Sequence, residues 1–136
     1  MSYALTFSSL ENYDAGKVGI KVPMFLSFGG KTISLFAKVD TGSTYCIFER
    51  IYGERLGIDI EQGYRQYVGT AVGGFVVYGH EVTLSVCGFD FYSTVFFAQE
   101  ESIRRNVLGR FGWLNKIRLG SIDYDGLPYL SRYDSE

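Results

Sequence analysis

The residues with the clearest capacity for chemistry are Asp40, Thr41 and Gly42, in the run Val39-Asp40-Thr41-Gly42-Ser43. A carboxylate there can take up or release a proton, the Thr41 hydroxyl can hydrogen-bond, and Gly42 lets a backbone or ligand approach closely. The same residues also suit a plain Asx turn, in which an aspartate accepts from an amide two residues on. Asp-Thr-Gly recurs by chance in about 0.03 of chains this long at ordinary residue usage, so its context has to decide. His80 is the only histidine, so a Ser-His-Asp or Cys-His pair would have to use it. It stands in Tyr78-Gly79-His80-Glu81, at an expected strand bend. Cys46 and Cys87 lie inside apolar runs and read as packing thiols; with one histidine they have no metal-ligand spacing, and neither metal nor cofactor is expected. Arg104, Arg105, Arg110, Lys116 and Arg118 follow Glu100 and Glu101 and read as a solvated face. Gly73-Gly74 lacks the lysine and the strand-to-helix setting of a phosphate loop.

The elements around Asp40 are legible from periodicity. Ile33, Leu35, Ala37 and Val39 alternate with Thr32, Ser34, Phe36 and Lys38, which predicts a strand that buries the first set and leaves Asp40 at its end, on the opposite face. Before it, Val18 to Leu26 forms the other arm of a hairpin across Phe28-Gly29-Gly30-Lys31. After it come a turn at Asp40 to Ser43, a short strand at Tyr45-Cys46-Ile47-Phe48, and up to two helical turns between Glu49 and Leu56, ended by Gly57. Tyr64 to Val68 and Phe75 to Tyr78 flank Gly69-Thr70-Ala71-Val72-Gly73-Gly74, a hairpin tip without charge and unusually apolar for a surface loop. Strands follow at Glu81 to Val86 and Phe91 to Ala98, then Val107-Leu108-Gly109-Arg110, a brief helical stretch near Phe111 to Asn115, and a hairpin of Ile117 to Ile122 and Leu127 to Leu130. Trp113 reads as core.

Composition agrees with this strand-rich reading. The chain has 136 residues, of which 46% are apolar, 17% aromatic and 21% charged, enough for one core and one domain spanning residues 1–136, with residues 1–17 as a peripheral segment. Seventeen glycines against two prolines suit tight β-turns. Thirteen basic and fifteen acidic side chains leave a net charge of −2, too weak a field for a phosphate backbone, so no nucleic-acid partner is expected. No apolar run is long enough to span a bilayer and Met1 to Phe7 lacks a signal pattern, so no membrane is expected and the chain reads as cytoplasmic.

With these elements in order, the sequence resembles the retropepsin-like aspartic proteases, the single-lobe relatives of pepsin. Val39-Asp40-Thr41-Gly42-Ser43 looks like their hydrophobic-Asp-Thr/Ser-Gly-Ala/Ser motif, Gly69 to Gly74 lies where their glycine-rich flap belongs, and Val107-Leu108-Gly109-Arg110 is similar to their hydrophobic-hydrophobic-Gly-Arg segment. The tail from Phe111 to Gly126 is more like that of bacterial members than of viral ones. The resemblance covers about Val18 to Leu130 and implies an all-β closed barrel with one or two short helices. It further implies an endopeptidase that is a homodimer, because one chain carries one Asp-Thr-Gly and the chemistry needs two aspartates. Two Asp40 carboxylates at close range share one proton, so one activates water while the other protonates the scissile carbonyl. The residue matching Thr41 bonds across the dimer and that matching Gly42 lies beside the water. Ser43 with Gly69, Thr70, Ala71, Val72, Gly73 and Gly74 would bind an extended peptide. Tyr45 stands where retroviral members often place an acid that pairs with the arginine matching Arg110, so Arg110 is expected to have another partner. The rival reading is a dimerisation or peptide-binding module on the same fold without turnover.

Overall fold

The computed structural model describes residues 2–134. Alternating burial fixes the first hairpin. Val22, Met24 and Leu26 of β2 (Lys21–Phe28) point into the core while Lys21, Pro23 and Phe25 face outward. In β3 (Lys31–Val39) Leu35 and Ala37 are buried and Ile33 and Val39 partly so, which is the expected set. The two strands pair antiparallel across Gly29-Gly30, with Val22 opposite Ala37 and Lys21 opposite Lys38.

Next come β4 (Ile47–Phe48), helix α1 (Arg50–Arg55), β5 (Tyr64–Thr70), β6 (Gly73–Val86), β7 (Phe89–Ala98) and β8 (Val107–Leu108). The sheet runs β2-β3-β8-β4-β7-β6-β5, and β2 also pairs with β6. Six strands therefore close into a ring, which leaves no open edge among them, and β5 hangs outside as the free arm of the β5–β6 hairpin. The joints β3–β8 and β4–β7 are parallel, the rest antiparallel. A second antiparallel sheet has β10 (Leu127–Arg132) between β9 (Ile117–Ile122) and β1 (Ser9–Leu10). The N-terminal segment is thus partly woven in, with the amide of Tyr13 donating to the carbonyl of Gly126 (2.9 Å) and the Phe7 ring against Tyr129 (5.9 Å).

Three local expectations change. β6 is one strand and does not bend at Gly79-His80, because Phe96 lies over Gly79 and fills the space a side chain would take, so the β6–β7 ladder continues through Gly79–Phe96 and His80–Val95. The strands of the second hairpin reach Thr70 and Gly73, so its tip is Ala71-Val72 alone. The helical stretch after Phe111 is a 3-10 turn displaced to Leu114–Lys116. A helix does not begin at Phe111 because the next residue, Gly112, has a φ of 102°, outside helical backbone.

Two apolar clusters support the molecule. The larger fills the ring and includes Met24, Leu26, Phe48, Leu84, Phe97 and Trp113. The smaller consists of Ile47, Phe75, Val77, Phe96 and Val107, with Tyr45, Val68 and Ile103 packed against it. It lies under the Asp40 turn, since Ile47 and Val107 also line the hollows described below. Among the described residues no helix is long and apolar enough to cross a membrane.

Candidate active site

The turn that carries Asp40 is held from below by backbone. The Asp40 amide donates to the carbonyl of Leu108 (3.0 Å), the Ser43 amide to the carbonyl of Asp40 (3.1 Å), the Arg110 amide to Ser43 (2.9 Å) and the Phe111 amide to Thr44 (2.9 Å). Val107 to Phe111 thus acts as a staple across both ends of the Asp-Thr-Gly segment. Only glycine can occupy position 109, because a Cβ there would collide with the Tyr45 carbonyl and come within 2.8 Å of that of Ser43. Cys46 completes the floor: its Sγ accepts from the Gly109 amide (3.4 Å), and burial pushes its thiol up to about 12, so it stays protonated. The packing role expected of Cys46 is what its surroundings provide.

On this platform Asp40 is half-buried. Its Oδ1 accepts from the Gly42 amide (3.0 Å), so the Asx turn is present. Oδ2 takes no hydrogen bond among the described residues. Thr41 is exposed, and Ser43 turns its hydroxyl back to the carbonyl of Tyr45 (2.7 Å). Two hollows meet at Asp40. One, of about 370 Å³, runs under the β5–β6 hairpin between Gly42, Ser43, Tyr45, Tyr67, Val68 and Gly69. The other, of about 450 Å³, is bounded by Lys21, Phe36, Lys38, Arg104, Arg105 and Asn106. Arg105 borders both.

Of the residues expected to meet a peptide, Ser43 and Gly69 line the first hollow with Asp40 and Gly42. Thr70, Val72, Gly73 and Gly74 instead flank a neighbouring recess with Arg104 and Arg105, and Ala71 is exposed at the tip. Gly74 has a steric reason, since the Tyr67 ring lies across it where a Cβ would stand. Arg110 finds its other partner in Phe111, whose ring sits 5.6 Å from the guanidinium. Tyr45, in the place of the acid, packs on Phe96 (4.6 Å) and its hydroxyl accepts from the Gln66 amide group (2.8 Å). His80 lines neither hollow; a ring nitrogen lies 2.8 Å from the Ile60 carbonyl and braces the 3-10 turn Ile60–Gln62.

Sequence reasoning missed the walls. Tyr67 and Val68 read only as strand residues, and Tyr45 as a strand residue in the place of an acid. Lys21 and Lys38 face outward on β2 and β3 without any motif, and Arg104 and Arg105 read as a solvated face. They are exposed, yet they converge on Asp40. The available signal was parity: Lys38 and Asp40 lie two apart on one face of β3.

The ring, the stapled Asp-Thr-Gly turn and the overhanging hairpin define a single-lobe acid-protease barrel. In agreement, the crystal structure of a retropepsin-like aspartic protease from Rickettsia conorii superposes with a TM-score of 0.64 at 16% identity, covering 90% of this chain and 96% of that one. The chain therefore has the retropepsin-like fold. No family model matches it and no curated protein matches it in sequence.

Proposed function

We propose that the chain is an aspartic endopeptidase whose active unit is a homodimer. The observation that carries this reading is Asp40: a carboxylate on a rigid backbone platform, one oxygen held by the Gly42 amide and the other unpaired among the described residues, at the junction of two open hollows. A carboxylate needed only for the turn has no reason to face a groove. One chain brings one Asp-Thr-Gly, and in a twofold pair the second Asp40 supplies the missing group. Two such carboxylates share one proton because both charges at short range are costly. The ionised member takes a proton from water as its oxygen attacks the scissile carbonyl carbon, and the protonated member gives its proton to the carbonyl oxygen. In the resulting tetrahedral species the C–N bond then breaks as a proton passes to the departing nitrogen. Thr41 bonds to the partner copy, Gly42 leaves room for the water, and Ser43 with Gly69 to Gly74 borders the peptide. The hairpin closes over that peptide, whose backbone pairs with it as an added strand.

The test is digestion of an unfolded protein substrate by the purified chain, with sedimentation measured under the same conditions. A dimer that cleaves, and an Asp40→Asn dimer that does not, is the expected result. Cleavage by a strictly monomeric species sinks the shared-carboxylate mechanism. A dimer that binds peptide and never cleaves it makes the protein a binding module.

A further inference from the structure

The chain is slightly acidic overall, with a net charge of −2, yet the hollow of about 450 Å³ beside Asp40 gathers Lys21, Lys38, Arg104 and Arg105, and among the described residues Asp40 is the only carboxylate on its wall. Lys21 and Lys38 stand directly opposite each other across β2 and β3. Like charges in that arrangement repel and destabilise a sheet unless an anion lies between them. Neither has a carboxylate within ion-pair distance among the described residues, nor does Arg105, whose guanidinium stacks on Phe75 at 5.4 Å; only Arg104 reaches one, Glu49 at 3.5 Å. The arginine segment is anchored, because the Asn106 side chain donates to Glu49 (2.6 Å) and accepts from its amide (3.0 Å), while the Asn106 carbonyl accepts from the Lys38 amide (2.9 Å). The cations are therefore brought to the hollow by paired backbone and are not strewn over a mobile loop.

We propose that this hollow takes an acidic side chain of the peptide close to the scissile bond, making Lys21, Lys38 and Arg105 the residues that select glutamate or aspartate there. The proposal rests on the endopeptidase reading. A carboxylate entering the hollow would meet the facing lysines and the Arg105 fork in charge-assisted hydrogen bonds. It would relieve the repulsion between the lysines, and a neutral amide of the same shape would not. A lysine or arginine side chain would be rejected by the same field.

The experiment uses peptide pairs that differ only in Glu against Gln at one position, moved stepwise along both sides of the cleaved bond. In at least one position the wild type should favour Glu by about tenfold in kcat/KM, the effect of one charge-assisted hydrogen bond. The doubly substituted Lys38→Gln/Arg105→Gln chain should bring that ratio close to one. Absence of any Glu preference in the wild type, or a preference that survives the double substitution, overturns the proposal. Should no peptide be cleaved, the endopeptidase reading fails by itself, and the hollow is then judged by fluorescence anisotropy of the labelled peptides with Asp40→Asn. Tighter binding of a Glu peptide, lost with Lys38→Gln/Arg105→Gln, upholds it; equal or absent binding of the Glu and Gln forms overturns it.

Discussion

The two hollows that meet at Asp40 are built from different materials. Under the hairpin, apart from Arg105 at the border the two hollows share, the walls are Tyr45, Tyr67, Val68 and the turn backbone, which offer surface and hydrogen-bonding groups to almost any extended chain. On the other side the walls are cations, which respond to charge. The first suits what all peptides share, and the second what distinguishes one from another. A single carboxylate lies between the general wall and the selective one, on a floor of Ile47, Val107 and Gly109 that neither wall controls.

The largest effect should come from the group common to both sides. Asp40→Asn keeps the size and the turn of the side chain but cannot hold or give up the shared proton, so cleavage should fall by at least about a thousandfold, with circular dichroism unchanged. A rate near wild type, with contaminating protease excluded, would end the endopeptidase reading. Next is the floor. Gly109→Ala drives a methyl into the carbonyls of Tyr45 and Ser43, a backbone collision that should cost about 3 kcal/mol. Urea unfolding should register that loss, and both hollows should fail together. Damage to one side only would mean the staple does not carry the other.

How much of this the sequence disclosed follows the reach of each signal. The period of two in β3 and the glycines of the first hairpin are local, and they locate β2, β3 and Asp40 at the strand's end without help. The Val107 to Arg110 run was legible as a motif, but not its work, because the bonds to Asp40, Ser43 and Thr44 span some sixty positions or more of chain and leave no periodic trace. Glycine is a local breaker signal, so the sequence alone divides β6 at Gly79, whereas the Phe96 ring that compensates for it arrives from another strand. The basic hollow was least visible. Lys21, Lys38 and Arg105 are far apart in sequence and individually ordinary, and only the parallel joint of β3 to β8 brings the arginine segment beside the lysines.

Smaller effects should separate the walls. Tyr67→Ala removes an aromatic surface from the hairpin side and should raise KM several-fold, about 1 kcal/mol of peptide binding, while leaving the ratio between Glu and Gln peptides where it was. Added salt should do the reverse. Screening weakens exposed charge pairs, so the Glu preference should shrink as ionic strength rises, and the penalty of Tyr67→Ala should persist. If salt abolished both alike, the two hollows would not be chemically distinct.

The smallest effect should be found at an ion pair that belongs to neither wall. The Arg50 guanidinium grips Glu61 with two hydrogen bonds (2.6 and 2.8 Å) and also donates to the Gln99 carbonyl (3.1 Å), tying α1 to the following 3-10 turn and the end of β7. The hydrogen bond from Arg50 holds the Glu61 carboxyl below its ordinary value. Because the folded form binds its proton less tightly than the unfolded form, the contribution is complete above the ordinary glutamate range. It drains away as pH falls from that range through the lowered value and is absent below it. Glu61 is largely exposed, so solvent screening keeps the contribution under about 1 kcal/mol. Glu61→Gln should accordingly lower the urea midpoint slightly at about pH 7, and the difference from wild type should shrink as pH falls below the ordinary glutamate range. Its kcat/KM ratio for Glu over Gln peptides should match wild type, since Glu61 borders neither hollow. A change in that ratio would mean that selection depends on charge anywhere on the surface and not on the cations gathered beside Asp40.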